Sequence, residues 1–176
     1  MTEITIRDAG TADIPALHGL IESAYRGEAS RAGWTTEADL LDGQRTDPDD
    51  LADILADPKQ ALLTAWRDRD LVGCVLIADR GEGTGYFGML SIRPTLQGGG
   101  LGRRLVEAAQ DALSDHFGSE RVRISVLPQR DTLIAWYERL GYRRTGETLP
   151  FPYGNPRFGL PRRDDLYFVV MERALQ

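Results

Sequence analysis

Residues 91–102 read SIRPTLQGGGLG: the end of an apolar run, a proline, then glycine at four of the five positions from 98 to 102. Upstream, YFGMLSIRP (86–94) has the composition of a strand halted by Pro94. Downstream, Leu101, Leu105, Ala108, Ala109, Ala112 and Leu113 recur on one face of a helix that ends near Gly118. A strand therefore hands over to a helix through glycine. The spacing fits neither common nucleotide loop. The Walker pattern G-x-x-x-x-G-K-[ST] is absent, and G-x-G-x-x-G fails because Arg103 and Leu105 stand where its last glycine belongs. The shared physics still applies. First-turn amides lack intrahelical partners, the helix dipole adds positive charge there, and glycine lets an anion approach the main chain. Each glycine also costs roughly 0.5–1 kcal/mol relative to alanine within an element, so tight packing explains one or two better than four.

The flanking order extends this strand–turn–helix into a fold. EITIRDA (3–9) reads as a first strand, followed by a helix capped at Thr11 or Asp13 and running to about Tyr25. A polar loop holding Trp34 leads to a short helix expected from Thr35 or Thr36, and Asp47 with Pro48 opens another reaching Ala56. ALLTAWRD and LVGCVLIAD predict a tight hairpin. After the glycine-led helix come the strand RVRISVL, a helix TLIAWYERL capped by Asp131 or Thr132 and closed by Gly141, and two final strands, YRRTGETL and DDLYFVVMER. The result is an α/β sandwich around a mixed sheet. Between the last strands, PFPYGNPRFGLPRR is longer than an ordinary connection, which marks it as functional.

The 176 residues suit one domain, residues 1–176, with 41% hydrophobic and 27% charged residues. A net charge of −6 argues against a sequence-independent grip on nucleic acid. Neither a membrane-length apolar run nor a signal-peptide pattern is present, so the cytoplasm is the expected compartment. The one cysteine, Cys74, sits in an apolar run and reads as a buried, inert thiol.

Gln97-Gly98-Gly99-Gly100-Leu101-Gly102 matches the Q/R-x-x-G-x-G/A signature of the GNAT superfamily of acetyl-CoA-dependent N-acetyltransferases, in the family's strand–helix context. LIAWYERLGYRRTG resembles the family's second motif, a helical tyrosine followed by glycine and an aromatic. The resemblance implies an α/β (α+β) fold with a mixed, mostly antiparallel sheet of about seven strands flanked by helices and splayed between strands four and five. It implies that acetyl-CoA is the cosubstrate, that no metal is needed, and that the acceptor is a small-molecule or peptide amine. Leu90, Ser91 and Ile92 would offer backbone bonds to the pantetheine arm, and amides from Gln97 to Arg103 would cradle the pyrophosphate.

Chemistry then assigns roles. A free amine with a pKa near 10.4 must lose a proton before attacking the thioester, and the departing sulfur must gain one. Tyr137 matches the family's general acid, although an amphipathic helix also uses such a tyrosine as core. The oxyanion would meet a backbone N–H near Leu90. Residues 86–92 hold no carboxylate or histidine, so a base must come from elsewhere; Glu28 and Glu37 are candidates, with solvated surface residues the alternative. His18 and His116 read as surface residues. Many family members carry asparagine seven residues before the tyrosine, where this chain has Arg130, which either reaches cofactor or substrate or is solvated. The acceptor is expected between the Glu28–Trp34–Glu37 segment and the loop of Phe151, Tyr153 and Phe158, an aromatic wall suited to an amine with an apolar or cationic body. Trp34 and Phe151 could equally staple those loops to the core. Two other readings stay open: a non-catalytic acyl-CoA sensor and a transferase for another acyl group. A homodimer paired through the aromatic loop is a further possibility, with no nucleic acid or membrane partner expected.

Overall fold

The computed structural model describes residues 3–26, 30–31, 36–97, 99–156 and 159–175. Strand β1 (Ile4–Asp8) leads through a 3₁₀ turn to α1 (Ile14–Tyr25), a two-residue strand β2 (Leu41–Asp42) and α2 (Pro48–Ala56). Then come β3 (Gln60–Arg67), β4 (Asp70–Asp79) and β5 (Thr84–Ile92). Helix α3 (Leu101–Phe117), β6 (Arg121–Val126), α4 (Asp131–Arg139), β7 (Arg143–Pro150), β8 (Leu160–Pro161) and β9 (Tyr167–Ala174) complete the order.

Local chemistry explains most boundaries. Asp47 caps α2 by accepting from the Asp50 amide at 2.7 Å, with Pro48 at the first position. Gly118 and Gly141 close α3 and α4 at φ of +65° and +96°. The capping expectation fails at α4, where Arg130 rather than Asp131 or Thr132 is the cap, with no side-chain cap bond. The short helix expected from Thr35 or Thr36 is also corrected over the described residues: 38–40 form a turn, at the start of which the Ala38 amide donates to the Thr36 hydroxyl, and Thr35 lies outside the described residues.

Seven strands form the main sheet in the order β1-β3-β4-β5-β6-β9-β7, and β2 pairs with β8 apart from it. Every pair in the main sheet is antiparallel except β5 with β6. That parallel pairing covers only Thr84–Tyr86 against Arg121–Arg123, and the remainder of β5 has no β6 partner. The mixed, mostly antiparallel sheet is thus the one expected, splayed between the fourth and fifth long strands in chain order.

Two apolar layers hold it. Leu105, Val106, Ala109 and Leu113 of α3 and Leu133, Ile134 and Tyr137 of α4 pack on one face with Val75, Ile77, Phe87 and Ile124. Leu17, Leu20, Ile21 and Ala24 of α1 and Leu51 and Ile54 of α2 pack on the other with Leu62, Cys74, Leu76 and Met89. A fully buried leucine such as Leu17 or Leu105 contributes about 1.5–3 kcal/mol. Close approach of α3 to the sheet depends on Gly73, where a Cβ would lie 2.8 Å from Leu105 Cδ1 and 3.2 Å from the Ser91 carbonyl. Cys74 is buried, and burial pushes its thiol up to about 12, as suits an unreactive group. Among the described residues, no helix is long and apolar enough to cross a membrane.

Candidate active site

The gap between β5 and β6 is shaped by a bulge in β5. Opposite β4, Cys74 faces Ser91 and Leu76 faces Gly88, so Met89 and Leu90 share the place of one residue. Met89 adopts φ of +50°, a conformation that side chains rarely take. The displaced carbonyls are met by side chains. Ser91 Oγ donates to the Met89 carbonyl at 2.9 Å, and the Tyr25 hydroxyl at the end of α1 donates to the Leu90 carbonyl. Tyr25 is buried, and burial pushes its hydroxyl up to about 12 against the opposing pull of Arg130 and Arg45, so it remains a donor.

Beyond β5, Gln97 donates to the Ile92 carbonyl at 3.2 Å and fastens the turn to the strand end. Gly100 caps α3 at φ of +84°, a left-handed conformation that glycine adopts without strain. A Cβ at Gly100 would meet nothing within 4 Å, at Gly99 only the Leu96 carbonyl at 3.6 Å, and at Gly102 the Trp136 ring at 3.5 Å. These are ordinary contacts, so protein packing does not demand glycine at 99 or 102. What the small residues leave is open space beside the first-turn amides of Leu101, Gly102 and Arg103, which a helix cannot satisfy internally. That combination of cradle, dipole and unpaired strand fits a pyrophosphate followed by an amide-bearing arm. Arg103 is exposed and pairs with Glu107 at 3.1 Å. Gly98 lies outside the described residues.

On the α1 side a cavity of about 420 Å³ reaches Met89, Leu90 and Tyr137. Tyr137 is buried on α4 among Phe87, Trp136 and Tyr142, at ring separations of 5.9, 5.0 and 5.9 Å. Burial pushes its hydroxyl well above the ordinary tyrosine range, so it holds its proton at neutral pH. Tyr137 is a core side chain, as one of the two expectations had it, and it also lines the cavity.

Glu37 is buried in this wall, with Arg26 on one carboxylate oxygen and Arg130 Nη1 at 3.1 Å from the other. Burial pushes its carboxyl up, but the charges of Arg130, Arg26 and Arg45 outweigh that and hold it below the usual range. A paired anion of this kind is a poor proton acceptor, which corrects the reading of Glu37 as general base. Neither is it a solvated surface residue. Arg130, weighed as a ligand of cofactor or substrate or a solvated side chain, has a side chain only 10% exposed, joins Glu37 and lies 5.6 Å from the Tyr25 ring. Its position places it on the cavity wall rather than at the glycine turn.

Phe151 lines the cavity and stacks with Phe168 at 5.8 Å. Tyr153, expected beside the acceptor, points elsewhere: its hydroxyl donates to the Arg163 carbonyl and accepts from the Leu166 amide, stapling the proline-rich loop. Glu28, Trp34 and Phe158 lie outside the described residues. His116 is exposed and His18 half-buried, and neither lines the cavity. The cavity adds Tyr25, Arg26, Arg45, Arg80 and Tyr86, none of which the sequence reading singled out. Arg45 lies over the Tyr25 ring at 5.1 Å and Arg80 over Tyr86 at 4.5 Å. The wall carries four arginines, at 26, 45, 80 and 130, against three carboxylates, at 37, 50 and 53.

The chain belongs to the acetyltransferase (GNAT) family, whose model matches residues 23–142. A protein of Azospirillum brasilense named IAA acetyltransferase is 35% identical over 102 residues, 57% of this chain and 64% of that one. The mycothiol acetyltransferase of Salinispora tropica is 36% identical over 66 residues, 38% of this chain and 22% of that one. The chain therefore spans less than two thirds of either relative. Among solved structures, the ribosomal-protein-S18-alanine N-acetyltransferase from Escherichia coli shares the fold with a TM-score of 0.71 at 16% identity, covering 99% of this chain and 95% of that one. The Salmonella typhimurium protein yncA, solved with its cofactor acetyl-CoA, has a TM-score of 0.71 at 21% identity, covering 98% and 94%.

Proposed function

We propose that this chain transfers the acetyl group of acetyl-CoA to a primary amine by direct attack in a ternary complex. The observation that carries the reading is the parting of β5 from β6 after Tyr86, with the open turn at Gly99 and Gly100 beyond the end of β5 and Tyr137 on the wall of the cavity that Met89 and Leu90 line. Main-chain groups of Leu90, Ser91 and Ile92 hold the pantetheine arm, and amides of the turn from Gln97 through Gly98, Gly99, Gly100, Leu101 and Gly102 to Arg103 hold the pyrophosphate.

Bound acetyl-CoA supplies the thioester carbonyl, whose carbon gains a bond to the amine nitrogen and loses its bond to sulfur. The Leu90 backbone N–H faces the charge that develops on the carbonyl oxygen. Tyr137 gives its proton to the leaving sulfur and is reprotonated from solvent. The nitrogen releases its proton to solvent, since Glu37 is held as an anion by two arginines. The products are an N-acetyl amine and CoA.

The test is CoA release from acetyl-CoA across a panel of primary amines. Tyr137→Phe keeps the ring packing and removes the proton, so turnover should fall at least about tenfold while acetyl-CoA affinity stays within about twofold. Unchanged turnover would remove Tyr137 from its role. Silence with every amine, despite thermal stabilisation by acetyl-CoA, would make the chain a sensor instead.

A further inference from the structure

The guanidiniums of Arg45 and Arg80 on the cavity wall make no side-chain hydrogen bond or ion pair among the described residues, and of the two only Arg45 is partly buried. Arg26 and Arg130 are committed to Glu37, and Asp50 accepts from the Thr46 hydroxyl at 2.8 Å. Arg45 is anchored through its backbone, whose amide donates to Glu22 at 2.7 Å. Its guanidinium lies on the face of Tyr25, and among the described residues that side chain makes no hydrogen bond or ion pair. It lines the cavity and is only partly covered. A guanidinium presents its N–H donors as a planar fork that matches the two oxygens of a carboxylate, and a partly desolvated site strengthens such a pair.

Position makes this seat relevant to the acceptor. Tyr25 carries Arg45 on its ring face and the Leu90 carbonyl on its hydroxyl, so one phenol ring separates the Arg45 guanidinium from the strand assigned to acetyl transfer. An α-amino acid has its amine and carboxylate on the same carbon. It can therefore turn its nitrogen toward Leu90 while its carboxylate rests on Arg45. Leu41, Phe151 and Phe168 provide an apolar wall for its side chain. Arg80, exposed at the rim over Tyr86, adds positive charge where an anionic molecule would enter.

We infer that the acceptor is an apolar α-amino acid whose carboxylate pairs with Arg45. The inference rests on reading the cavity as the acceptor side of an acetyltransferase, and the test separates the two. Binding of N-acetylphenylalanine, N-acetylleucine and N-acetylmethionine is measured by calorimetry with CoA present, each against its primary amide. The tightest-binding acid should exceed its amide by at least about tenfold, the value of one charge-assisted pair. Arg45→Gln should erase that advantage, and Arg45→Lys, which keeps charge but not the fork, should retain part of it. Thermal melts with and without acetyl-CoA verify that both variants fold. Equal binding of acid and amide, no binding of any acid, or an advantage that survives in Arg45→Gln would overturn the inference. Selective acid binding without acetylation of any free amino acid would instead overturn acetyl transfer and leave the carboxylate seat standing.

Discussion

The two sides of β5 are made of different materials. Toward α3 the site consists of main chain: an unpaired strand, a left-handed glycine and the first amides of a helix. Toward α1 it consists of side chains, with Tyr25, Arg26, Glu37, Arg45 and Arg130 brought together from four separate places in the chain. A main-chain site accepts nearly any side chain that preserves φ and leaves the space open. A side-chain site fails when one partner is removed, because the others are already desolvated. The first is suited to a constant ligand, the second to a particular one.

The largest break in this comparison is expected at Glu37. Glu37→Gln leaves Arg26 and Arg130 inside without a countercharge, a loss of about 3–5 kcal/mol by urea unfolding at neutral pH. The loss has a pH signature. The folded-state pKa of Glu37 lies below its ordinary value of 4.5, so its contribution is complete above that value and fades as pH falls through the lower folded one. Wild type and variant should converge on acidification, and parallel curves down to acid pH would show that the carboxylate is not the group responsible. Gly100→Ala should come next. Forcing a Cβ to φ of +84° costs about 1–2 kcal/mol, and acetyl-CoA affinity should fall severalfold while binding of acetylated product is unchanged. An unaltered acetyl-CoA affinity would mean that the turn is a connector only. Arg103→Ala should have the smallest effect, since its side chain is 69% exposed and paired only with Glu107 in the next turn. Acetyl-CoA affinity within about twofold of wild type is expected, and a large drop would transfer the pyrophosphate grip from backbone to side chain.

This division also explains what the sequence disclosed. The main-chain half was legible because its determinants are local: Pro94 stops a strand, four glycines follow, and Leu101, Leu105 and Leu113 begin a periodic face. The element order could be read for the same reason, apart from the stretch after Thr36 and the paired two-residue strands β2 and β8. There Glu37 takes tertiary partners, and its carbonyl accepts from Leu40 and Leu41 in a turn instead of propagating a helix. The side-chain half was mostly hidden. Glu37 and Arg130 stand far apart in the chain, and nothing in their neighbourhoods announces the pair. Arg45 sits in an ordinary polar connection, and Tyr25 looked like the last apolar residue of a helix. Only the folded chain puts them around one opening. Tyr153 failed in the opposite direction, since an aromatic in a long loop suggested a ligand wall and served to fasten that loop.

A seven-stranded sheet ordinarily has two edges, the places where one protein molecule can add itself to another. Because β5 and β6 part company after three paired residues, this sheet has two more in its middle. Those inner edges are not the hazard that outer ones are. Any chain seeking to pair there would have to slide between α1 and α2 on one side and α3 and α4 on the other, bringing side chains on both faces. A slender arm with an amide every few atoms, lacking side chains on alternate faces, meets less obstruction. The same opening that gives the sheet a hydrogen-bonding slot thus screens by thickness what can pair with it.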